Sequence, residues 1–204
     1  MTDTRTLDRI RVIHTLGPAG TNLEMAANHW FSTRGRSPDV RLHRTLEEAV
    51  PGLSEDGHEA LLACAVYPDL HSLVFQNLGL LAMVDSFILP TYDMVFATRA
   101  DTAQVRTVVS HPAPQSLVRR AVPGVAPTLV TSNSQAAREC ARGAADACIT
   151  TSKSAADHGL EIRRHFGAVP MVYTLHQAGG HDLPASPGGS ETRPALRVRG
   201  GGPG

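Results

Sequence analysis

The chain reads as an α/β protein with mostly parallel sheets, on three observations. Apolar segments of strand length alternate with segments whose apolar residues recur at helical spacing. One run, Ala60-Leu-Leu-Ala-Cys-Ala-Val-Tyr67, is continuously apolar, the pattern of a parallel strand covered on both faces. The section beginning at Ser86 is denser in strands than what precedes it, which suggests a second lobe inserted into the first.

Ile10 to Leu16 is the first expected strand and Asn22 to Arg34 the first helix. Between them Gly17 and Gly20 permit a tight turn and close approach to a ligand, while Thr21 or Asn22 can cap the helix. Val40 to His43 reads as a short strand, and Leu46 to Leu53 as a brief helical segment capped by Thr45. Pro68 ends the buried strand, and Leu70 to Leu81 carries helical spacing. Phe87 to Leu89, Met94 to Ala97, Val105 to Ser110, Thr128 to Thr131, Asp146 to Thr151 and Val169 to His176 are expected strands. Pro114 to Ala121, Ser134 to Ala141 and Ser152 to His158 are expected helices, the last stopped by Gly159. Beyond Gln177 the sequence turns to Gly, Pro, Ser and Arg and is expected to be a disordered tail. The domains expected are 10–88 plus 169–178 for one lobe, 89–168 for the other and 179–204 for the tail.

With 204 residues and 42% apolar content the chain can bury a substantial core. Nineteen basic residues balance nineteen acidic ones and aromatics are only 4%, which argues against nucleic acid as a partner. Three cysteines, Cys64, Cys140 and Cys148, lack Cys-x-x-Cys spacing and read as buried thiols in a reducing compartment. The polar, charged N-terminus does not suit a secretory signal, and no apolar run reaches the ~18 residues of a membrane span. The expectation is a cytoplasmic protein with no membrane partner.

Ligands of open α/β sheets bind beyond the carboxyl ends of strands, where helix-start amides face an anion. Four such ends carry hydroxyls, amides or imidazoles: Gly17 to Asn22, Tyr67-Pro-Asp-Leu-His-Ser72, Ser110-His-Pro-Ala-Pro-Gln115 and Thr131-Ser-Asn-Ser-Gln135. Together they suit a small, oxygen-rich anion, although Ser, Thr and Asn before a helix also serve simply as caps. Ten histidines offer no His-x-x-x-His or His-Glu pair at helical spacing, so no metal is expected. A Gly-x-Ser-x-Gly elbow, a Walker loop and a dinucleotide fingerprint are absent, so no cofactor is expected either.

Taken in order, these segments resemble the prephenate dehydratase family over about residues 10–178. Leu16-Gly-Pro-Ala-Gly-Thr21 matches its Leu-Gly-Pro-x-Gly-Thr, and Ser110-His-Pro112 its Ser-His-Pro. Ser132-Asn-Ser-Gln-Ala-Ala137 is similar to its Ser-Thr-Ala-Glu-Ala-Ala, and Gly143-Ala-Ala-Asp-Ala-Cys-Ile149 to its Gly-x-Ala-Asp-x-x-Ile. The resemblance implies two α/β lobes arranged like a periplasmic binding protein, with the active site in the cleft between them and no regulatory domain following.

The departures are informative. The family's Pro-x-Glu-Asn-Ser aligns with Pro68-Asp-Leu-His-Ser72, which places Leu70 and His71 where it has Glu and Asn. Its Thr-Arg-Phe, whose Thr is taken as the catalytic acid, is missing from the corresponding stretch, Pro170-Met-Val-Tyr-Thr-Leu-His176. That pattern resembles the prephenate decarboxylase branch known from bacilysin-type biosynthesis, which opens with His-Thr-Leu-Gly-Pro as His14 to Pro18 does here.

The resemblance implies a carboxy-lyase that makes a non-aromatic dihydro-4-hydroxyphenylpyruvate from the dicarboxylate prephenate for antibiotic biosynthesis. By family resemblance the pyruvyl carboxylate belongs near Ser132, Asn133, Ser134 and Gln135, with Gly17, Gly20, Thr21, Asn22 and Ser72 lining the site. His71, His111 or water supplies the proton, and a homodimer is left open. Two rivals stand beside this reading. One is a dehydratase with a replacement acid among Tyr173, Thr174 and His176; the other is a non-catalytic binding protein for an aromatic keto or amino acid.

Overall fold

The computed structural model describes residues 7–179; the expected tail lies outside them apart from Gly179. The described chain divides into two compact units. Unit 1 comprises residues 7–19, Leu23–Leu89 and 171–179, and unit 2 comprises Gly20–Asn22 with Pro90–Pro170. The three residues that close the glycine turn thus belong to the unit built mainly from the middle of the chain.

Unit 1 is built on strands β1 (Val12–Leu16), β2 (Val40–His43), β3 (Glu59–Cys64), β4 (Leu81–Pro90) and β10 (Pro170–Ala178), ordered β2-β1-β3-β10-β4. Strand β1 runs parallel to β2 and β3, whereas β10 is antiparallel to β3. The sheet is therefore mixed rather than mostly parallel. Strand β10 enters it directly from unit 2, without the helical crossover that a parallel neighbour needs.

Each face of this sheet is covered. On one side helix α1 (Asn22–Ser32) buries Ala26, Ala27, Trp30 and Phe31 against Ile13, Ala60, Leu62, Tyr173 and Leu175. On the other, α2 (Leu46–Ala49), the 3-10 turn Val50–Gly52 and α3 (Leu70–Gln76) pack on Leu61 and Ala63. Residues 60 to 63 alternate between these two cores, which is why this run carries no polar residue. As expected, Thr45 caps α2, its hydroxyl accepting from the Glu48 amide at 3.2 Å. Two expectations need adjusting: α3 stops at Gln76, and β4 starts at Leu81, well before Phe87.

Unit 2 holds β5 (Met94–Thr98), β6 (Val108–Ser110), β7 (Thr128–Leu129), β8 (Ala147–Thr151) and β9 (Glu161–Gly167), in the order β7-β6-β8-β5-β9. Strands β7, β6 and β8 are parallel, and β5 is antiparallel to both β8 and β9. Helices α5 (Asn133–Ala141) and α6 (Ser152–Asp157) cover one face, through Ala136, Ala137, Cys140 and Ala155. Helix α4 (Ser116–Ala121) covers the other through Val118. All three cysteines are buried free thiols. Among the described residues no helix is long and apolar enough to cross a membrane.

Candidate active site

In unit 2 the carboxyl ends of β7, β6 and β8 lie at the same sheet edge as the start of β5. The register pairs Ser110 with Leu129 and with Ile149, and Thr151 with Met94. Four of the expected site residues follow β7 directly. Ser132 caps α5, its Oγ accepting from the Gln135 amide at 3.0 Å. Gln135 replies across the cap, where its Oε1 accepts from the Thr131 amide at 3.0 Å and the Thr131 hydroxyl at 2.6 Å. This reciprocal arrangement fixes where α5 begins, and leaves the amides of Asn133 and Ser134 among the helix-start donors without an intrahelical acceptor.

Asn133 is the least settled of these residues. Its carbonyl accepts from the Thr150 hydroxyl at 2.7 Å, which ties α5 to β8. Its side-chain Oδ1 is buried and has no hydrogen-bond partner. A buried amide oxygen without a partner beside a helix start is suited to an incoming polar group. With the amide turned, its NH2 would face a carboxylate directly.

His111 follows β6 and is half-buried. Its Nδ1 accepts from the Ala113 amide at 3.2 Å, and burial lowers its pKa, so the ring is held neutral with Nε2 as its remaining N–H. The Gly20–Asn22 turn belongs to the same unit. Gly20 has a φ of +83°, and a Cβ there would lie 3.3 Å from the Asp157 carboxylate. The Asn22 side chain is committed, its Oδ1 accepting from the Tyr92 amide at 3.0 Å. Thr21 stands between them.

Gly17, His71 and Ser72 belong to unit 1. Gly17 donates to the His43 carbonyl at 2.7 Å, and a Cβ there would press on Leu42 at 3.3 Å, so the turn packs closely against β2 at this glycine. His71 is exposed and Ser72 half-buried on α3, a helix that starts without a side-chain cap. The expected residues thus fall into two sets, one per unit.

Two features escaped the sequence reading. In unit 1, His14 is buried, with Nδ1 2.9 Å from His43 Nε2 and Nε2 3.5 Å from Glu59. Burial lowers the His14 pKa more than Glu59 raises it. In unit 2, Asp93 and His165 form a carboxylate–imidazole pair at the edge described above. His14 stood in the sequence motif but nothing signalled its partners, and His165 lies in a strand with no apolar alternation.

The family model for prephenate dehydratase matches residues 13–166. The chain belongs to the prephenate dehydratase family. Among its curated relatives, the Bacillus subtilis (strain 168) protein named prephenate decarboxylase is 29% identical over 189 residues, covering 88% of this chain and 92% of the relative. The prephenate decarboxylase of Bacillus amyloliquefaciens is 26% identical over 183 residues, covering 85% and 89%. Among solved structures, the prephenate dehydratase of Arthrobacter aurescens in complex with L-Phe superposes with a TM-score of 0.66 at 16% identity. That match covers 84% of this chain and 61% of the dehydratase, so the chain spans about three fifths of its length. The likeness shows that the two mixed sheets are those of the dehydratase fold.

Proposed function

We propose that the protein is a non-aromatising prephenate decarboxylase, a carboxy-lyase. What carries the reading is the absence of the family's Thr-Arg-Phe from a family member whose curated Bacillus relatives bear that name. A dehydratase expels the ring carboxylate and the ring hydroxyl together, and the hydroxyl leaves only if an acid protonates it. Without that acid the carboxylate still departs, its electron pair moves into the ring diene, a ring carbon takes a proton and the hydroxyl stays.

In this reading the pyruvyl carboxylate binds at the start of α5, where Asn133 and Ser134 present helix amides beside the Ser132 and Gln135 cap and the unpartnered Oδ1 of Asn133 marks a polar site. The ring carboxylate lies in drier surroundings that favour its loss. Gly17, Gly20, Thr21, Asn22 and Ser72 line the substrate, and His71 and His111 contact it. The enzyme works without a cofactor in the cytoplasm of an antibiotic-producing cell.

The dehydratase rival is disfavoured by the state of its candidate acids. Tyr173 is buried in the core and stacked on Phe87 at 5.6 Å, with its hydroxyl pKa pushed up by burial. Thr174 and His176 are bonded to one another, Oγ1 to Nε2, at 2.9 Å. Prephenate labelled with 13C at the ring carboxylate tests the reading: labelled carbon dioxide should appear without phenylpyruvate above the uncatalysed background. Phenylpyruvate in step with carbon dioxide would restore the rival.

A further inference from the structure

Carbon protonation needs a donor, and the most developed acid–base pair in unit 2 is one the sequence did not advertise. His165 Nδ1 is hydrogen-bonded to Asp93 Oδ2. The imidazole is 63% exposed while Asp93 is 31% exposed, and the other carboxylate oxygen, Oδ1, is fully buried with no hydrogen-bond partner. A buried carboxylate oxygen without a partner is costly, and among the described residues the other oxygen is held by the ring. Binding through Nδ1 leaves Nε2 pointing away from the carboxylate, which is how a carboxylate orients an imidazole for proton transfer.

The pairing of β5 with β9 is irregular beside this pair. Met94 pairs with Gly167 and Val95 with His165, so β9 spends one extra residue, Phe166, where β5 advances by one. Such a bulge re-aims neighbouring side chains and recurs beside active sites. Phe166 packs against the core under α4, while His165 stays exposed. The segment carrying Asp93 is tied on one side to an expected site residue and on the other to the start of α6. The Tyr92 amide donates to Asn22 Oδ1 at 3.0 Å, and the Asp93 carbonyl accepts from the Ser152 amide at 2.8 Å, where α6 begins. His111 is less suited to the task, because protonating its Nδ1 would cost the bond from Ala113.

We propose that His165, oriented by Asp93, is the proton donor to the ring carbon in decarboxylation. This rests on the decarboxylase reading above. The bond between the ring and its carboxylate breaks and releases carbon dioxide. That electron pair becomes a new ring double bond, and the pair of the adjacent ring double bond takes the proton from Nε2 of the imidazolium. The 4-hydroxyl is retained, and water restores the proton to the neutral ring. Nothing is oxidised or reduced. His165 is the catalytic group and Asp93 a positioning residue.

The test uses the full chain with prephenate in D2O and in H2O, on wild type, His165→Asn, His165→Gln and Asp93→Asn. Wild type should release carbon dioxide and place deuterium on one face of one ring carbon. For His165→Asn, kcat should fall about 10²-fold or more. KM should stay within about threefold, imidazole in the buffer should restore part of the rate, and the residual product should carry deuterium on both faces. His165→Gln should behave alike, and Asp93→Asn should lose about tenfold without imidazole rescue. Because deuterium placement is read on whatever product forms, it does not depend on how much of a variant folds. Wild-type kcat in either His165 variant, or one-faced deuterium in its residual product, would overturn the assignment while leaving the decarboxylase reading standing. A wild type that releases no carbon dioxide would overturn both.

Discussion

His176 sits on β10 with its ring buried, its Nε2 held by Thr174 and its Nδ1 unpartnered. Burial drives its pKa down from 6.5 to about 4. The folded state therefore excludes a proton that the unfolded chain accepts below about pH 6.5, so stability is complete above that value and is lost as pH falls towards 4. The loss from this one residue is on the order of 3 kcal/mol, and His14 acts in the same direction. Urea unfolding followed between pH 7 and pH 4.5 should show the falling midpoint, and His176→Gln should flatten much of it. An unchanged slope in the variant would place the acid sensitivity elsewhere. None of this was legible in the sequence, where His176 stood only among candidate acids. A histidine's charge state depends on what packs around it, and β10 lies between β3 and β4, both distant in the chain. His165 was missed for a related reason: its partner Asp93 is 72 residues away in the chain.

Elements were legible where one local pattern decided them. The run at residues 60–63 announced a strand covered twice, and the caps Thr45 and Ser132 marked where α2 and α5 begin. Strand β9 was not legible, because Glu-Ile-Arg-Arg-His-Phe-Gly has almost every side chain exposed on a sheet edge and so no period to read. The antiparallel placement of β5 and β10 was also hidden, since it follows from where the chain crosses between units rather than from any residue. At the start of α5, Ser132→Ala removes the cap and should cost about 1 kcal/mol in thermal or denaturant unfolding. If this helix start binds the pyruvyl carboxylate, the same change should raise KM more than it lowers kcat. An unchanged KM would remove α5 from the substrate site. In the glycine turn, Gly20→Ala meets a φ of +83° and the Asp157 carboxylate at 3.3 Å. It should destabilise by about 1–2 kcal/mol by calorimetry, and a neutral result would mean the turn relaxes freely.

At the scale of the whole molecule, four short motifs in order were enough to reach the family, because each marks a backbone event that the fold cannot do without. Leu16 to Thr21 turns β1 into α1, Ser110 to Pro112 ends β6, Ser132 starts α5, and Gly143 to Ile149 leads into β8. What separates a decarboxylase from a dehydratase is written less densely, in the loss of one acid motif. The choice between the two reactions therefore turns on the fate of the ring hydroxyl. The measurement that tests it most directly is a proton NMR spectrum of the product formed from prephenate by the purified protein. Olefinic ring signals together with a retained carbinol proton are the predicted result. Aromatic signals of phenylpyruvate growing faster than in an enzyme-free control would contradict it.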